Sequence, residues 1–318
     1  MADAATTPSI DQTVLAEALA GLSQACKTLP PKLFYDEEGC RLFYRITEVP
    51  EYYLTRTERR LLEQVAPLAA ASLPAGAVLV EYGASDEEKA GTLLRSRRFS
   101  AYVPIDVATP ALQRMRARLA VAYPALMVLP VTADFLQPVA LPPLPQGGQR
   151  LGFFPGSTIG NLEPADATLF LDRARRALGP GARFLLGVDL RKDATVLIPA
   201  YDDAAGVTAA FNLNLLVRLN REAGADFDLA AFRHQAIWND AESRIEMHLF
   251  ATRDQTVHLG GSTISLHEGE SIHTENSYKY TSAGIAAIAG QGGWRLEALW
   301  TDPDAMFALI LLRSDQDG

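Results

Sequence analysis

At 318 residues the chain is long for one compact domain and short for three, so one large domain or two closely joined ones is expected. Its 48% hydrophobic and 21% charged residues are those of a globular protein, which excludes disorder, collagen and coiled coil. Lys plus Arg number 29 against 38 Asp plus Glu, a net charge of −9 with no basic run, so neither nucleic acid nor an anionic membrane surface is expected as a partner.

The N-terminus, MADAATTPSIDQTVLAEALAGL, carries acids where a signal peptide needs a basic start, and its apolar residues are helically spaced. No run of about 20 apolar residues exists to cross a bilayer, so a cytoplasmic protein is expected. Residues 10–28 and 36–47 read as short amphipathic helices. The two cysteines, Cys26 and Cys40, have no CxxC spacing and no nearby histidine pair, and read as reduced thiols. A longer helix is expected over 55–71, opened by a capping box of Thr55 and Glu58.

From residue 78 the pattern changes. AVLVEYG, AYVPIDV (101–107), ALMVLPV (125–131), RLGFFPG (150–156) and ARFLLGVDL (182–190) are strand-length apolar runs separated by helical stretches. That alternation predicts an α/β fold with a parallel sheet covered on both faces. The Pro-rich stretch 136–150 reads as a surface loop. After residue 191 a helical stretch, VTAAFNLNLLVRLNREAG, precedes segments of period two, SRIEMHLFATR and HLGGSTISL, which suggests an α+β insertion. WRLEALWT and MFALILLR then predict an antiparallel hairpin on the sheet edge. Five parallel-type strands followed by a terminal hairpin is an order associated with methyltransferases that use S-adenosylmethionine.

Glu81 and Gly83 fall at the carboxyl end of the first strand, where an open α/β sheet binds its ligand, and Gly83 allows close approach to the backbone. The turn is not GxGxxG, and Asp86, Glu87 and Glu88 around it would repel a pyrophosphate while tolerating a sulfonium. Asp106 ends the second strand 23 residues after Gly83, near the offset of a ribose-binding carboxylate. Asp134 and Phe135 follow the third strand, suited to the amine and face of adenine. Ligand-type residues at three successive strand ends predict an adenosine site.

Asn161, in FFPGSTIGNLEP, has a two-ended amide able to meet a carboxylate or an amine, although its spacing favours the N-cap of a helix beginning near Glu163. The five histidines are scattered without metal-ligand spacing, and no Ser, His and Asp set assembles, so no metal site is read. In TENSYKY, Glu275 and Ser277 lie two apart, on one face of an extended segment. Together they can hold an imidazole by both nitrogens; on the residues alone, an ordinary exposed strand face is the better reading.

PPKLFYDEEGCRLFYRITEVPEYYLTRTE, LVEYGASDEEK, FFPGSTIGNL, AYDDAAGVTAAFNLNLLVRLNRE, RIEMHLFA and TENSYKY together resemble the histidine Nα-methyltransferases of ergothioneine biosynthesis, a histidine-specific family dependent on S-adenosylmethionine. The resemblance runs in family order from about residue 30 to the C-terminus. It implies a Rossmann-like methyltransferase domain over 58–194 and 281–318, with a mainly parallel seven-stranded sheet and terminal hairpin. A substrate-binding α+β domain would then span 1–57 and 195–280, with the substrate between the two. The implied reaction is trimethylation of the α-amine of L-histidine, with no metal; the net negative charge leaves a monomer as the expected state.

By matching motif, Gly83, Lys89, Asp106, Asp134 and Phe135 are similar to the cofactor contacts. Tyr52, Asn161, Tyr201, Met247, Glu275 and Ser277 are similar to the substrate contacts, and Tyr35 to a tyrosine near the reacting amine. Without the resemblance, Tyr52, Tyr201 and Met247 read as packing. Ser85 departs from the family pattern, which often has a second glycine there. The same chemistry on another amino acid such as tryptophan, a nicotinamide-dependent dehydrogenase and a catalytically silent S-adenosylmethionine-binding module are the alternatives. The missing GxGxxG and the hairpin disfavour the dehydrogenase.

Overall fold

The computed structural model describes residues 10–145 and 148–315, so the first nine residues of the N-terminal segment, and Gln146 and Gly147 of the Pro-rich loop, lie outside the described residues. Helix α1 (Gln12–Leu22) is capped by Asp11, whose carboxylate accepts from the Thr13 and Val14 amides. It ends at Leu22 rather than running to 28, because the chain turns back onto it. A Cβ on Gly21 would stand 2.1 Å from the Thr28 carbonyl oxygen, so only glycine allows this return. Strand β1 (Lys27–Thr28) follows, then a 3-10 turn over Pro31–Phe34 and helix α2 (Glu37–Glu48), capped by Asp36.

Helix α3 (Tyr53–Ala71) starts two residues before the expected cap. Thr55 therefore lies inside the first turn, and the Thr55–Glu58 capping box does not form. Glu58 lies instead with Leu54, Leu61, Leu62 and Val65 on the buried face.

Strands β2 (Ala77–Tyr82) and β3 (Phe99–Asp106) are separated by α4 (Glu88–Leu94). Helix α5 (Thr109–Ala122) leads to β4 (Met127–Val128) and β5 (Val131–Thr132). The run 125–131 was expected to be one strand; it breaks at Pro130, which has no N–H for a ladder. Then come β6 (Arg150–Phe154), a 3-10 turn over Thr158–Asn161, α6 (Pro164–Leu178) and β7 (Arg183–Asp189). Helices α7 (Ala194–Tyr201) and α8 (Val207–Glu222) precede β8 (Phe232–Asn239), β9 (Arg244–Ala251), β10 (Gln255–Leu259), β11 (Ser262–Leu266) and β12 (Ser271–Tyr278). The chain closes with α9 (Ser282–Gln291), β13 (Arg295–Thr301) and β14 (Phe307–Arg313).

Two compact units result: residues to Tyr53 with Lys192–Ser277, and Leu54–Arg191 with Tyr278 onward. The second unit holds a mixed sheet ordered β13-β14-β7-β6-β2-β3-β4, with β5 also paired to β3. The strands from β2 to β7 run parallel, and β14 enters antiparallel beside β7 with β13 outside it, as the terminal hairpin predicted. Successive strand residues bury opposite ways. Val78, Val80, Val103 and Ile105 pack with Phe170, Leu171 and Ile285 of α6 and α9 on one face. Leu79, Tyr102 and Leu151 pack with Leu61, Leu93 and Met115 of α3, α4 and α5 on the other. Strand order reverses about β2, which places the ligand crevice of such a sheet at the carboxyl ends of β2 and its neighbours.

The first unit holds a four-stranded sheet, β1-β12-β9-β8, and a separate β10–β11 hairpin. HLGGSTISL, read as one segment, is that hairpin. Leu259 pairs with Ser262 across Gly260 and Gly261, whose φ values of 56° and 83° are those a tight hairpin turn demands.

Candidate functional site

In the second unit Gly83, Asp106, Asp134 and Phe135, expected to meet the cofactor, lie at or just after strand ends. Gly83 follows β2 with φ +73°, and its amide donates to the Ile105 carbonyl of β3. A Cβ there would stand 3.4 Å from the Phe135 ring, so glycine keeps the backbone open beneath that ring. Phe135 packs edge-on to Phe154, centroids 5.4 Å apart. Asp106 ends β3, with one carboxylate oxygen accepting from the Ala108 amide at 2.8 Å, and burial raises its pKa. The Asp106 carbonyl accepts from Ala133, one residue before Asp134, whose carboxylate accepts from the Leu136 amide at 2.9 Å. Ser85 is not among the positive-φ residues, so the loop does not require glycine there.

Lys89, in α4, pairs with Glu58 at 2.5 Å. The other oxygen of Glu58 accepts from the Gly156 amide at 2.6 Å, so one fully buried carboxylate ties α4 to the loop after β6. Sequence reasoning missed that role. The available signal was an acid at an apolar-face position of α3, in register with Leu54, Leu61 and Leu62. Of the acids around the turn, Glu87 pairs with Arg118 and Glu88 with Arg59. Glu81 accepts from the Tyr102 hydroxyl, and burial pushes its carboxyl up to about 8, so it is protonated at neutral pH.

Asn161 closes the 3-10 turn after β6, in the same unit. Helix α6 begins at Pro164 with Glu163 at the cap, so Asn161 is not its N-cap. The turn is set by Gly156 and Ser157 at positive φ, and the Ser157 hydroxyl accepts from the Asp189 amide at 2.8 Å.

The remaining carried-over residues belong to the first unit. Tyr201, the last residue of α7, bonds the Ser277 hydroxyl at 2.8 Å, and its ring meets Tyr52 edge-on at 6.2 Å. Glu275 and Ser277 are both buried on β12, so the exposed-face alternative does not hold. Met247, on β9, is buried, and its carbonyl accepts from the Thr274 hydroxyl at 3.0 Å. Tyr35 packs edge-on against Phe43 and Phe211, each at 6.1 Å. The residue is 45% exposed. Burial first, then the charge of Glu275 and the neighbouring Tyr52, raise its pKa well above the ordinary value, so it stays protonated.

Behind Tyr201 lies a pair unmarked by any motif. The His234 ring bonds the Tyr201 carbonyl through Nε2 at 2.8 Å and the Asn212 amide through Nδ1 at 2.8 Å. A carbonyl only accepts, so Nε2 carries the proton and Nδ1 accepts; burial lowers the His234 pKa, keeping the ring neutral. The histidines are also less scattered than their spacing suggests: His248 and His273 stack with centroids 4.7 Å apart. No helix among the described residues is long and apolar enough to cross a membrane.

A bare backbone after β2, a carboxylate at the end of β3, and a carboxylate with an aromatic ring after β5 suit the phosphate-free end, ribose and base of an adenosine. A carboxylate and two hydroxyls buried among tyrosines suit a small polar amine. Residues 14–314 match the profile of a family described as histidine-specific, SAM-dependent methyltransferases. The chain is 44% identical over 300 residues to the histidine N-alpha-methyltransferase of Mycolicibacterium smegmatis, covering 92% of each. It is 40% identical over 301 residues to that of Mycobacterium tuberculosis, covering 93% of each. To ergothioneine biosynthesis protein 1 of Neurospora crassa it is 30% identical over 283 residues, 86% of this chain and 32% of that protein.

Proposed function

Since the chain belongs to the histidine-specific, S-adenosylmethionine-dependent methyltransferases, we propose that it adds three methyl groups in succession to the α-amine of L-histidine, making the betaine hercynine for ergothioneine biosynthesis. The observation that carries the substrate reading is the buried pair Glu275 and Ser277 on one strand, with Tyr201 bonded to the serine. A monomeric, cytoplasmic enzyme belongs to the same proposal. Light scattering should return about the chain mass of 34.5 kDa.

Gly83, Lys89, Asp106, Asp134 and Phe135 are assigned to S-adenosylmethionine, which supplies an electrophilic methyl group when bound. Asp106 takes the ribose hydroxyls, Asp134 and Phe135 the adenine, and the open backbone at Gly83 with Lys89 the amino-acid end. Glu275 accepts an imidazole N–H and Ser277 meets the other ring nitrogen, while Met247 lines the ring's side. Tyr52, Asn161 and Tyr201 are assigned to the α-carboxylate.

In each round an N–C bond forms as the sulfonium C–S bond breaks. The protein's work is positioning: fixing both ends of histidine aims the amine lone pair along one line. Two protons must leave the nitrogen between the three transfers. Tyr35, held protonated, cannot store them as a phenolate; it orients the amine, or the water that carries the proton away.

The test is incubation of the purified protein with S-adenosylmethionine and an equal mixture of amino acids, read by mass spectrometry. Triply methylated histidine alone is expected. Methylation of a different amino acid would overturn the assignment of Glu275, and no methylation would overturn the proposal.

A further inference from the structure

Beside Met247 and Glu275, on the same two strands, Glu246, His248 and His273 each present a donor atom within 4.8 Å of the others. Glu246 and His248 alternate on β9 and so share a face, and β12, carrying His273, is the neighbouring strand. All three are half-buried, leaving room for entry and for water ligands.

What distinguishes this cluster is how each side chain is held. The Asn239 amide at 2.9 Å, and Arg244 Nε and Nη2 each at 2.8 Å, bind Oε1 of Glu246. Oε2 is turned to His248 Nε2 at 3.3 Å. The other nitrogen of His248, Nδ1, lies 3.2 Å from the Ser271 hydroxyl, an oxygen able to accept its proton. His273 Nε2 bonds the Glu275 carbonyl at 3.1 Å; a carbonyl only accepts, so Nε2 carries the proton and Nδ1 keeps its lone pair. Outer partners of this kind fix the orientation of metal-ligating side chains.

We propose that Glu246, His248 and His273 form a binding site for one divalent cation of the zinc class. Two imidazole nitrogens and a carboxylate oxygen suit such an ion, with water in the fourth position. Tetrahedral donors on zinc lie about 3.4 Å apart, from metal–ligand distances of about 2.1 Å. Oε2 and Nε2 are 3.3 Å apart, close to that separation, and a His273 donor lies within 4.8 Å of both. The Arg244 guanidinium opposes the cation, so micromolar rather than nanomolar affinity is expected.

Zinc chloride titrated calorimetrically into the full chain, without histidine, tests the site. One equivalent should bind, and His248→Ala and His273→Ala should each weaken binding by about tenfold or more. Glu246→Gln, which keeps the side chain's shape, should weaken it as well. The exposed thiols are the competing ligands, so a Cys26→Ser, Cys40→Ser protein should bind as the parent does. No zinc binding by the parent, unchanged binding in the two histidine variants, or loss confined to the cysteine variant would each overturn the site.

Discussion

Glu275 is 8% exposed, and a carboxylate so placed discriminates by what it loses. A substrate that brings an N–H gains a hydrogen bond to a buried acceptor; one that does not forgoes it. Glu275→Gln should therefore lower kcat/KM for histidine by about 10- to 100-fold, the equivalent of roughly 1.5–3 kcal/mol for a hydrogen bond to a charged group. Steady-state kinetics with an unchanged circular dichroism spectrum check this. Tyr35 is argued differently, from a hydroxyl that stays protonated beside that carboxylate. Tyr35→Phe should slow methylation with little change in histidine binding; equal rates for all three transfers would remove its role. Neither assignment comes from spacing alone. Glu275 and Ser277 suggested an imidazole clamp from their register, whereas Tyr35 and Met247 rested on likeness to a family.

At the scale of elements, the segment after β12 shows how a strand end is anchored. Lys279 and Asp189 form an ion pair at 2.9 Å, both side chains fully buried. The Tyr280 amide donates to the Asp189 carbonyl, and the Arg191 amide to the Tyr280 carbonyl, so residues 279–280 lie along the end of β7. Removing one member takes a close opposite charge away from the other inside the unit. Lys279→Met should cost about 3–5 kcal/mol, read as a lower urea midpoint. The 3-10 turn over Thr158–Asn161 packs against this segment so tightly that a Cβ on Gly160 would stand 2.8 Å from the Tyr278 carbonyl oxygen. Asn161 therefore ends a turn shaped by tertiary packing, which its distance from Glu163 did not reveal. The same reason defeats the capping box at Thr55: a local pattern competes with Lys89 and Gly156 for Glu58, and the buried partners win.

For the whole molecule, stability against pH follows from Glu81. Burial, in the first place, raises its carboxyl from 4.5 to about 8. The folded chain thus holds a proton that the unfolded chain releases near pH 4.5. Its contribution is complete below pH 4.5 and is lost as pH rises through 8, a change on the order of a few kcal/mol. The thermal midpoint should fall between pH 5 and pH 8 by more in the parent than in Glu81→Gln; parallel pH profiles would show that Glu81 does not titrate there.

The sequence by itself determined the α/β class, the succession of parallel strands, the terminal hairpin, the family and the strand-end positions of Gly83, Asp106 and Asp134. All of these rest on local period, on turn residues or on motifs that stay contiguous in the chain. Only the tertiary structure decided that β1 pairs with β12, that Glu58 holds Lys89, that Asn212 and His234 stand behind Tyr201, and that His248 stacks on His273. These are contacts between side chains far apart in sequence. A period of 2 or 3.6 says which face a residue occupies, but not which distant residue waits on the other side.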